Sequence, residues 1–310
     1  MAEPPHEKPE LAIGIVTDCQ YADVDTPPNS RRRYRLSRQK LGEAVDYFNG
    51  MEDLSFVLHL GDMIDRDVHS YQNVVPVYRR LKMPHYQVIG NHDYTIDDAA
   101  KAGVPGLLEM EHRYYSVTAG RWRFVILDGN EVSLFSHAKT SLETAAAARY
   151  ARASTRKLTE WSGGIGQDQL AWLRVQLDQA RRESKVVVLC CHYPVLPIGP
   201  HALWNAEEVL QLLREFPGNI AAWFNGHNHD GDYTGRHGIH FLNYRGMVET
   251  ETNCFARVEF FPDRIRVIGF GREPSRDLRL PAPDAAPESL KTKPRPGRAA
   301  TAHGSTPHSP

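Results

Sequence analysis

The stretch that most constrains this chain is an apolar run at residues 55–60 (SFVLHL) that stops at Gly61 and is followed at once by Asp62. The run has the length and composition of a buried strand. Gly61 gives the backbone a tight turn and leaves room for a ligand. An acid placed directly after such a strand sits at its carboxyl end, where open α/β sheets place their ligands. The pattern recurs: other strand-like runs end on Asp18 and Gln20, on Asn91 and His92, on His192, and on His227 and His229. All are hard oxygen or imidazole donors, the set that two divalent metals sharing a bridging carboxylate would require. The residues point to a two-metal phosphoesterase.

The surrounding pattern predicts a layered α/β domain. Strands are expected at 11–17, 55–60, 86–89, 185–190 and 220–224, with a hairpin formed by 114–117 and 122–127 around Ala119-Gly120. Helices are expected at 31–49, 167–182 and about 205–215, where apolar residues recur at helical spacing. Another is expected from about 74 to 81, its start set by Pro76. Residues 239–270 read as several antiparallel strands, which suggests a second sheet packed on the first. The domain spans 11–274, preceded by a flexible arm at 1–10. A polar, alanine-rich stretch at 129–165 breaks the rhythm and closes on Ser162-Gly163-Gly164-Ile165-Gly166, as a helical insertion or cap would. From 275 to 310 the chain is rich in Pro, Ala and Ser, the composition of a disordered tail.

Composition narrows the partners. A formal net charge of -1 over 310 residues gives no basic footprint for nucleic acid. No apolar run nears the ~20 residues that cross a bilayer, and the polar, proline-rich start is unlike a signal peptide. Cys19, Cys190, Cys191 and Cys254 lie in or beside apolar runs without C-x-x-C spacing, so buried reduced thiols and a cytoplasmic location are expected. The expected partner is a small molecule and the expected state a monomer.

Within the site, Asp18 and Gln20 alternate across a strand end, so both should emerge on one face with Cys19 pointing into packing. His227 and His229 alternate in the same way. Asn91 suits a ligand bonding through its amide oxygen, because an amide is too weak an acid to donate a proton. His92 has the chemistry of a general acid for a leaving oxygen, with Asp65 to orient it. Two metals would activate a water and clamp the phosphoryl oxygens, so no covalent nucleophile is needed. No G-x-S-x-G or Walker A motif is present. The basic run holding Arg31, Arg33 and Arg35 is either a solvated face or a source of one or two contacts to a diphosphate. Trp204 either stacks a base or packs in the fold.

The ordered set Asp18-x-Gln20, Gly61-Asp62-x-x-Asp65-Arg66, Gly90-Asn91-His92-Asp93, His192 and Gly226-His227-x-His229 resembles the calcineurin-like metallophosphoesterase superfamily. The resemblance implies a four-layer double β-sandwich flanked by helices. It also implies that Asp18, Gln20, Asp62 and His229 hold one metal, and Asp62, Asn91, His192 and His227 the other, with His92 as leaving-group acid backed by Asp65. Arg66 sits where some members use an arginine on phosphate. Most members have histidine where this chain has Gln20. That glutamine, with the 17–23 segment, Arg31-Arg32-Arg33-Tyr34-Arg35, Trp204-Asn205 and Gly226-His227-Asn228-His229-Asp230-Gly231, resembles the manganese-dependent ADP-ribose/CDP-alcohol diphosphatase family. Its members split a diphosphate linkage into a nucleoside monophosphate and a second phosphate ester. The implied cofactors are two Mn²⁺ ions, with Mg²⁺, Fe²⁺ or Zn²⁺ as alternatives. Other phosphodiesterase or phosphomonoesterase activity of the superfamily is the competing reading, and a non-enzymatic scaffold a third that the intact donor set opposes.

Overall fold

The computed structural model of this chain describes residues 7–281. The parts of the expected arm and tail at 1–6 and 282–310 lie outside the described residues. In chain order the strands are β1 (Leu11–Val16), β2 (Phe56–His59), β3 (His85–Gln87), β4 (Tyr115–Ala119), β5 (Trp122–Ile126), β6 (Val186–Cys190), β7 (Ile220–Asn225), β8 (Asp232–Arg236), β9 (Ile239–Asn243), β10 (Cys254–Phe260), β11 (Arg264–Gly271) and β12 (Arg276–Arg279). The helices are α1 (Tyr34–Asn49), α2 (Val68–Tyr78), α3 (Val104–Leu107), α4 (Leu142–Ala153), α5 (Gln167–Arg182) and α6 (Ala206–Arg214).

Two six-stranded sheets result, in the orders β12-β11-β10-β1-β2-β3 and β4-β5-β6-β7-β9-β8. In the first, β1, β2 and β3 run parallel and β10 pairs antiparallel with β1. In the second, β5, β6, β7 and β9 run parallel. Side-chain alternation along these strands builds four layers. From β1, Leu11, Ile13 and Ile15 join Phe56, Leu58, Phe124, Ile126, Val188 and Phe224 in the core between the sheets. The opposite parity, Ala12, Val16 and Val57, packs under α1 and α2 against Leu41, Val45, Phe48 and Val74. On the other side Val125, Val187, Leu189 and Trp223 pack under α5 and α6 against Leu173, Leu177, Val209 and Leu213. Strands buried on both faces explain why they read as unbroken apolar runs.

Several expected boundaries move, each for a local reason. Helix α1 starts at Tyr34, because Arg32 is held extended by a bridge to Glu249. Helix α2 starts at Val68, capped by Asp67, whose side chain accepts from the Ser70 amide. Pro76 falls in its last turn, where it costs a single backbone bond. The C-terminal strands do not form a second sheet of their own. β9 extends the sheet of β7, while β10 closes the free edge of β1. The tail does not begin at 275: β12 pairs with β11, and buried Leu278 opposite Ile265 fills the inter-sheet core. The 129–165 stretch is helical only over Leu142–Ala153, and the Val132–Gly164 bridge pins its ends together.

Gly14 marks where α1 presses closest on its sheet: a Cβ there would lie 2.9 Å from the buried Phe48 ring and 3.0 Å from Val57. Gly14→Val should lower stability by about 1–3 kcal/mol through overpacking, measured as a fall in the chemical denaturation midpoint at unchanged slope.

Candidate metal centre

The parallel strands of both sheets deliver their donors to one place. Asp18 and Gln20 follow β1, Asp62 follows β2, Asn91 and His92 follow β3, His192 follows β6, and His227 and His229 follow β7. Backbone bonds stitch these ends together: Asp18 N donates to Gly61 O at 3.0 Å, Gln20 N to Asp62 O at 2.9 Å, and Gly226 N to His192 O at 3.1 Å. The expected strand alternation is not what aims the side chains, because β1 ends at Val16. Asp18, Gln20, Asp62 and His227 instead adopt left-handed backbone, with φ of 51°, 45°, 60° and 69°. Non-glycine residues hold that conformation only where surrounding structure over-determines it, and such strain gathers at functional sites. Gly61, at φ +98°, makes the turn that sets Asp62. A Cβ on Gly226 would overlap Thr17 Oγ1 and Asp18 Oδ2, so the chain can approach β1 only as glycine. Cys19 packs into the helix-side core as expected.

The donors converge. Asp62 Oδ2 lies 3.2 Å from His192 Nε2 and 2.9 Å from Gln20 Nε2. Asp18 Oδ1 lies 3.2 Å from His229 Nε2, and His227 Nδ1 lies 3.2 Å from His192 Nε2. Asp62, His192 and His227 offer ligand atoms within 4.8 Å of one another. Two histidines have their far nitrogens engaged: His192 Nδ1 is 2.8 Å from the Leu60 carbonyl, and His229 Nδ1 is 2.8 Å from Glu249 Oε1. Both bonds place the ring proton on Nδ1 and turn Nε2 toward the cluster, the arrangement that fixes metal-binding imidazoles.

Three buried donor atoms have no hydrogen-bond partner: Gln20 Oε1, Asn91 Oδ1 and His227 Nε2. An unpaired buried acceptor costs about 1–3 kcal/mol; Gln20 and His227 are bonded to Asp62 and His192, and Asn91 precedes the His92 amide that bonds to Asp62, so these orphaned atoms fit a divalent cation well. Gln20 reaches Asp62 and His229 through its amide nitrogen. A half-turn about its last bond would bring Oε1 to the same place.

Electrostatics agree with a cation site. Burial would lower the His192 and His229 imidazoles, but Asp62 and Asp18 respectively outweigh it, and both are raised to about 9. Burial opposes the Asp62 charge too, yet His192, His92 and His227 hold its carboxyl well below the usual range. His227 is driven well below its ordinary value by burial and then by charge on His192.

His92 stands beside this cluster, its side chain 21% exposed, with Nδ1 3.1 Å from Asp65 Oδ1. The contact is close enough for charge attraction but is not aligned as a hydrogen bond. The His92 amide donates to Asp62 Oδ1 at 2.8 Å, tying the two loops. Arg66 is occupied by Asp65, at 2.7 Å from Nε, and lies over the Tyr34 ring.

The expected substrate contacts divide. Arg31 reaches Glu249 Oε2 at 3.2 Å and Asp230 at 2.6 Å, so it sits directly behind His229. Arg33 pairs with Glu251, and Arg35 with Asp23 and Asp25; neither meets the cluster, because helix α1 starts at Tyr34 and these acids capture both side chains. Trp204 is 3% exposed, stacked on Tyr150 and bonded through Nε1 to Thr159 O, which leaves no free face for a base. Sequence reasoning missed Glu249 and the part played by Asp93. Asp93 accepts from the amides of Gly90, Asp62 and Met63 at 2.8–3.0 Å, holding the turn that carries Asp62. Glu249 carries no local signal, since it reaches His229 only through the fold.

Three outcomes follow from this geometry. Because both raised imidazoles are protonated at neutral pH, Mn²⁺ uptake should release up to about two protons, and affinity should climb with pH toward 9. Calorimetric titration in buffers of different ionisation enthalpy measures this; affinity flat from pH 7 to 9 would contradict it. The metal-free protein should also lose stability as pH rises from 6.5 through about 9, as those protons leave. Glu249→Gln should weaken metal affinity about 10–100-fold with the fold retained, read by the same titration.

Comparison with known proteins places these features. Proteins named manganese-dependent ADP-ribose/CDP-alcohol diphosphatase are similar along most of the chain. The one from Oryza sativa subsp. japonica is 27% identical over 300 residues, covering 84% of this chain and 92% of its own. The Xenopus tropicalis protein is 29% identical over 326 residues, covering 88% and 95%. The Homo sapiens protein is 26% identical over 315 residues, covering 86% and 92%. Among solved structures, a dimetal phosphatase from Danio rerio shares the fold with a TM-score of 0.78 at 23% identity, over 88% of this chain and 100% of that one. The calcineurin-like phosphoesterase family model matches residues 11–231, the span that holds every donor from Asp18 to His229, and the chain belongs to that family.

Proposed function

We propose that this protein is a metal-dependent hydrolase that cleaves the diphosphate linkage of ADP-ribose or a CDP-alcohol, giving a nucleoside monophosphate and a second phosphate ester. The observation that carries the reading is the buried cluster in which Gln20 Oε1, Asn91 Oδ1 and His227 Nε2 lack partners. The substrate class is carried by the names of the relatives that align along most of the chain.

Asp18, Gln20, Asp62 and His229 would hold one divalent cation, most simply Mn²⁺, and Asp62, Asn91, His192 and His227 a second. When bound, two such cations supply Lewis-acid charge to the phosphoryl oxygens and make a water acidic enough to attack near neutral pH. The chain does the rest. Asp62 is fixed by the Asp93 bracket, so its position does not depend on the substrate. His92, at the edge of the cluster, donates a proton to the bridging oxygen as the phosphorus–oxygen bond breaks. The departing group is thus a phosphate monoester that carries this proton on its former bridging oxygen, and the products are two monoesters. Asp65, itself held by Arg66, lies 3.1 Å from His92 Nδ1 and limits where the ring can point. The domain runs from 11 to at least 279, with 129–165 contributing the wall above His227. Among the described residues no helix is long and apolar enough to cross a membrane.

The test is product analysis with metal-stripped protein resupplied with Mn²⁺ or Mg²⁺ and given ADP-ribose and CDP-choline. AMP or CMP should appear only with metal, and Asp62→Asn should abolish it. Release of terminal phosphate alone, or turnover confined to monoesters or cyclic nucleotides, would transfer the protein to another activity of the family. His92→Ala should slow diphosphate cleavage about 10²–10⁴-fold, read as kcat for ADP-ribose in Mn²⁺-supplied protein.

A further inference from the structure

Trp161 is a large ring left 40% exposed beside the buried His227 and the half-buried His201. Its centroid lies 5.2 Å from the His227 ring and 4.8 Å from the His201 ring, with His201 in turn 5.4 Å from His227. His201 Nδ1 is buried and has no hydrogen-bond partner, so this wall also carries an unfilled polar position. The mount is rigid. Thr159 Oγ1 donates to Pro200 O at 2.8 Å, and Trp204 donates through its indole to Thr159 O at 3.0 Å and through its amide to Gly163 O at 2.8 Å. Trp204 therefore serves the turn that presents Trp161.

We infer that Trp161 is the stacking platform for the nucleobase of the substrate. The inference rests on the nucleotide-diphosphate reading and names where its base lies. An exposed indole gains little from water and much from a planar heteroaromatic ring, and the gain tolerates different bases. Such tolerance is what a site accepting both adenine and cytosine needs. Placement against His227 puts the platform next to the cluster that would bind the phosphates, so base and reacting phosphorus are gripped from one rigid wall. The two loops meeting here, the 129–165 insertion and the segment after β6, are bonded to each other before any ligand arrives, so little ordering accompanies binding.

Trp161→Leu and Trp161→Phe test this in Mn²⁺-supplied protein. Trp161→Leu should raise KM for ADP-ribose and CDP-choline about 5- to 100-fold with kcat little changed, while Trp161→Phe keeps most of the affinity. The analogue of ADP-ribose that lacks adenine should show the same KM in parent and variants. Separately, AMP but not ribose 5-phosphate should quench tryptophan fluorescence, and Trp161→Leu should remove that quench. Trp122 and Trp223 are fully buried, Trp204 nearly so, and the partly buried Trp172 packs against Tyr114, so they contribute little to it. An equal KM rise with and without adenine, or a full AMP quench in Trp161→Leu, would overturn the platform. Quenching by AMP through Trp161 without turnover of either diphosphate would sustain the platform and remove the diphosphatase reading instead.

Discussion

A carboxylate with no solvent exposure is expensive unless its charge is answered, and Asp62 is such a group. Its environment is built to answer it. His192 and Gln20 approach one oxygen and the His92 amide the other. Asp93, a second buried acid, spends its acceptors on three backbone amides around the turn. Burial and then Asp62 push the Asp93 carboxyl up to about 7, so the two acids are kept from both carrying full charge at low cost. With a divalent cation, the surplus of buried oxygen donors becomes the point of the fold.

The two sheets exist, in this sense, to bring separate strand ends to that charge. Each sheet alone offers only part of the donors: four, Asp18, Gln20, Asp62 and Asn91, come from the first, and three, His192, His227 and His229, from the second. Packing the inner faces around Phe56, Phe124, Phe224 and Phe260 sets the distance between the halves. Hydrogen bonds then lock the register at the edge, from His192 to Leu60 O and from the His227 amide to Asp18. Site and core are thus one construction, and mobility between the sheets would spoil both.

Much of this was legible in the sequence. The 167–182 helix has its predicted bounds because Leu170, Leu173 and Leu177 form a regular stripe and Gly166 precedes it. The strand ends were legible because a buried parallel strand is an unbroken apolar run, and a polar residue after it has few other places to be. Reading was poorer where two signals competed. Pro76 looked like a helix start but lies in a last turn, since the cap at Asp67 acts nine residues upstream of any breaker signal. Arg33 and Arg35 read either as a solvated face or as contacts to a diphosphate, and in the fold each pairs with nearby acids. Trp204 read either as a ring that stacks a base or as packing, and in the fold it is 3% exposed, while Trp161 carried no signal at all.

The sequence by itself determined the donor types, their order and the strands that carry them, because each depends on residues within one short segment. Only the tertiary structure decided which groups stand behind those donors. Glu249 reaches His229, Arg31 reaches Glu249, and Trp161 leans on His227, each across a gap in the chain that no local pattern records. The physical reason is that a donor's identity is set by its own chemistry and strand, while its proton, its charge partner and its substrate wall are set by whatever the packed sheets and loops bring within a few ångströms.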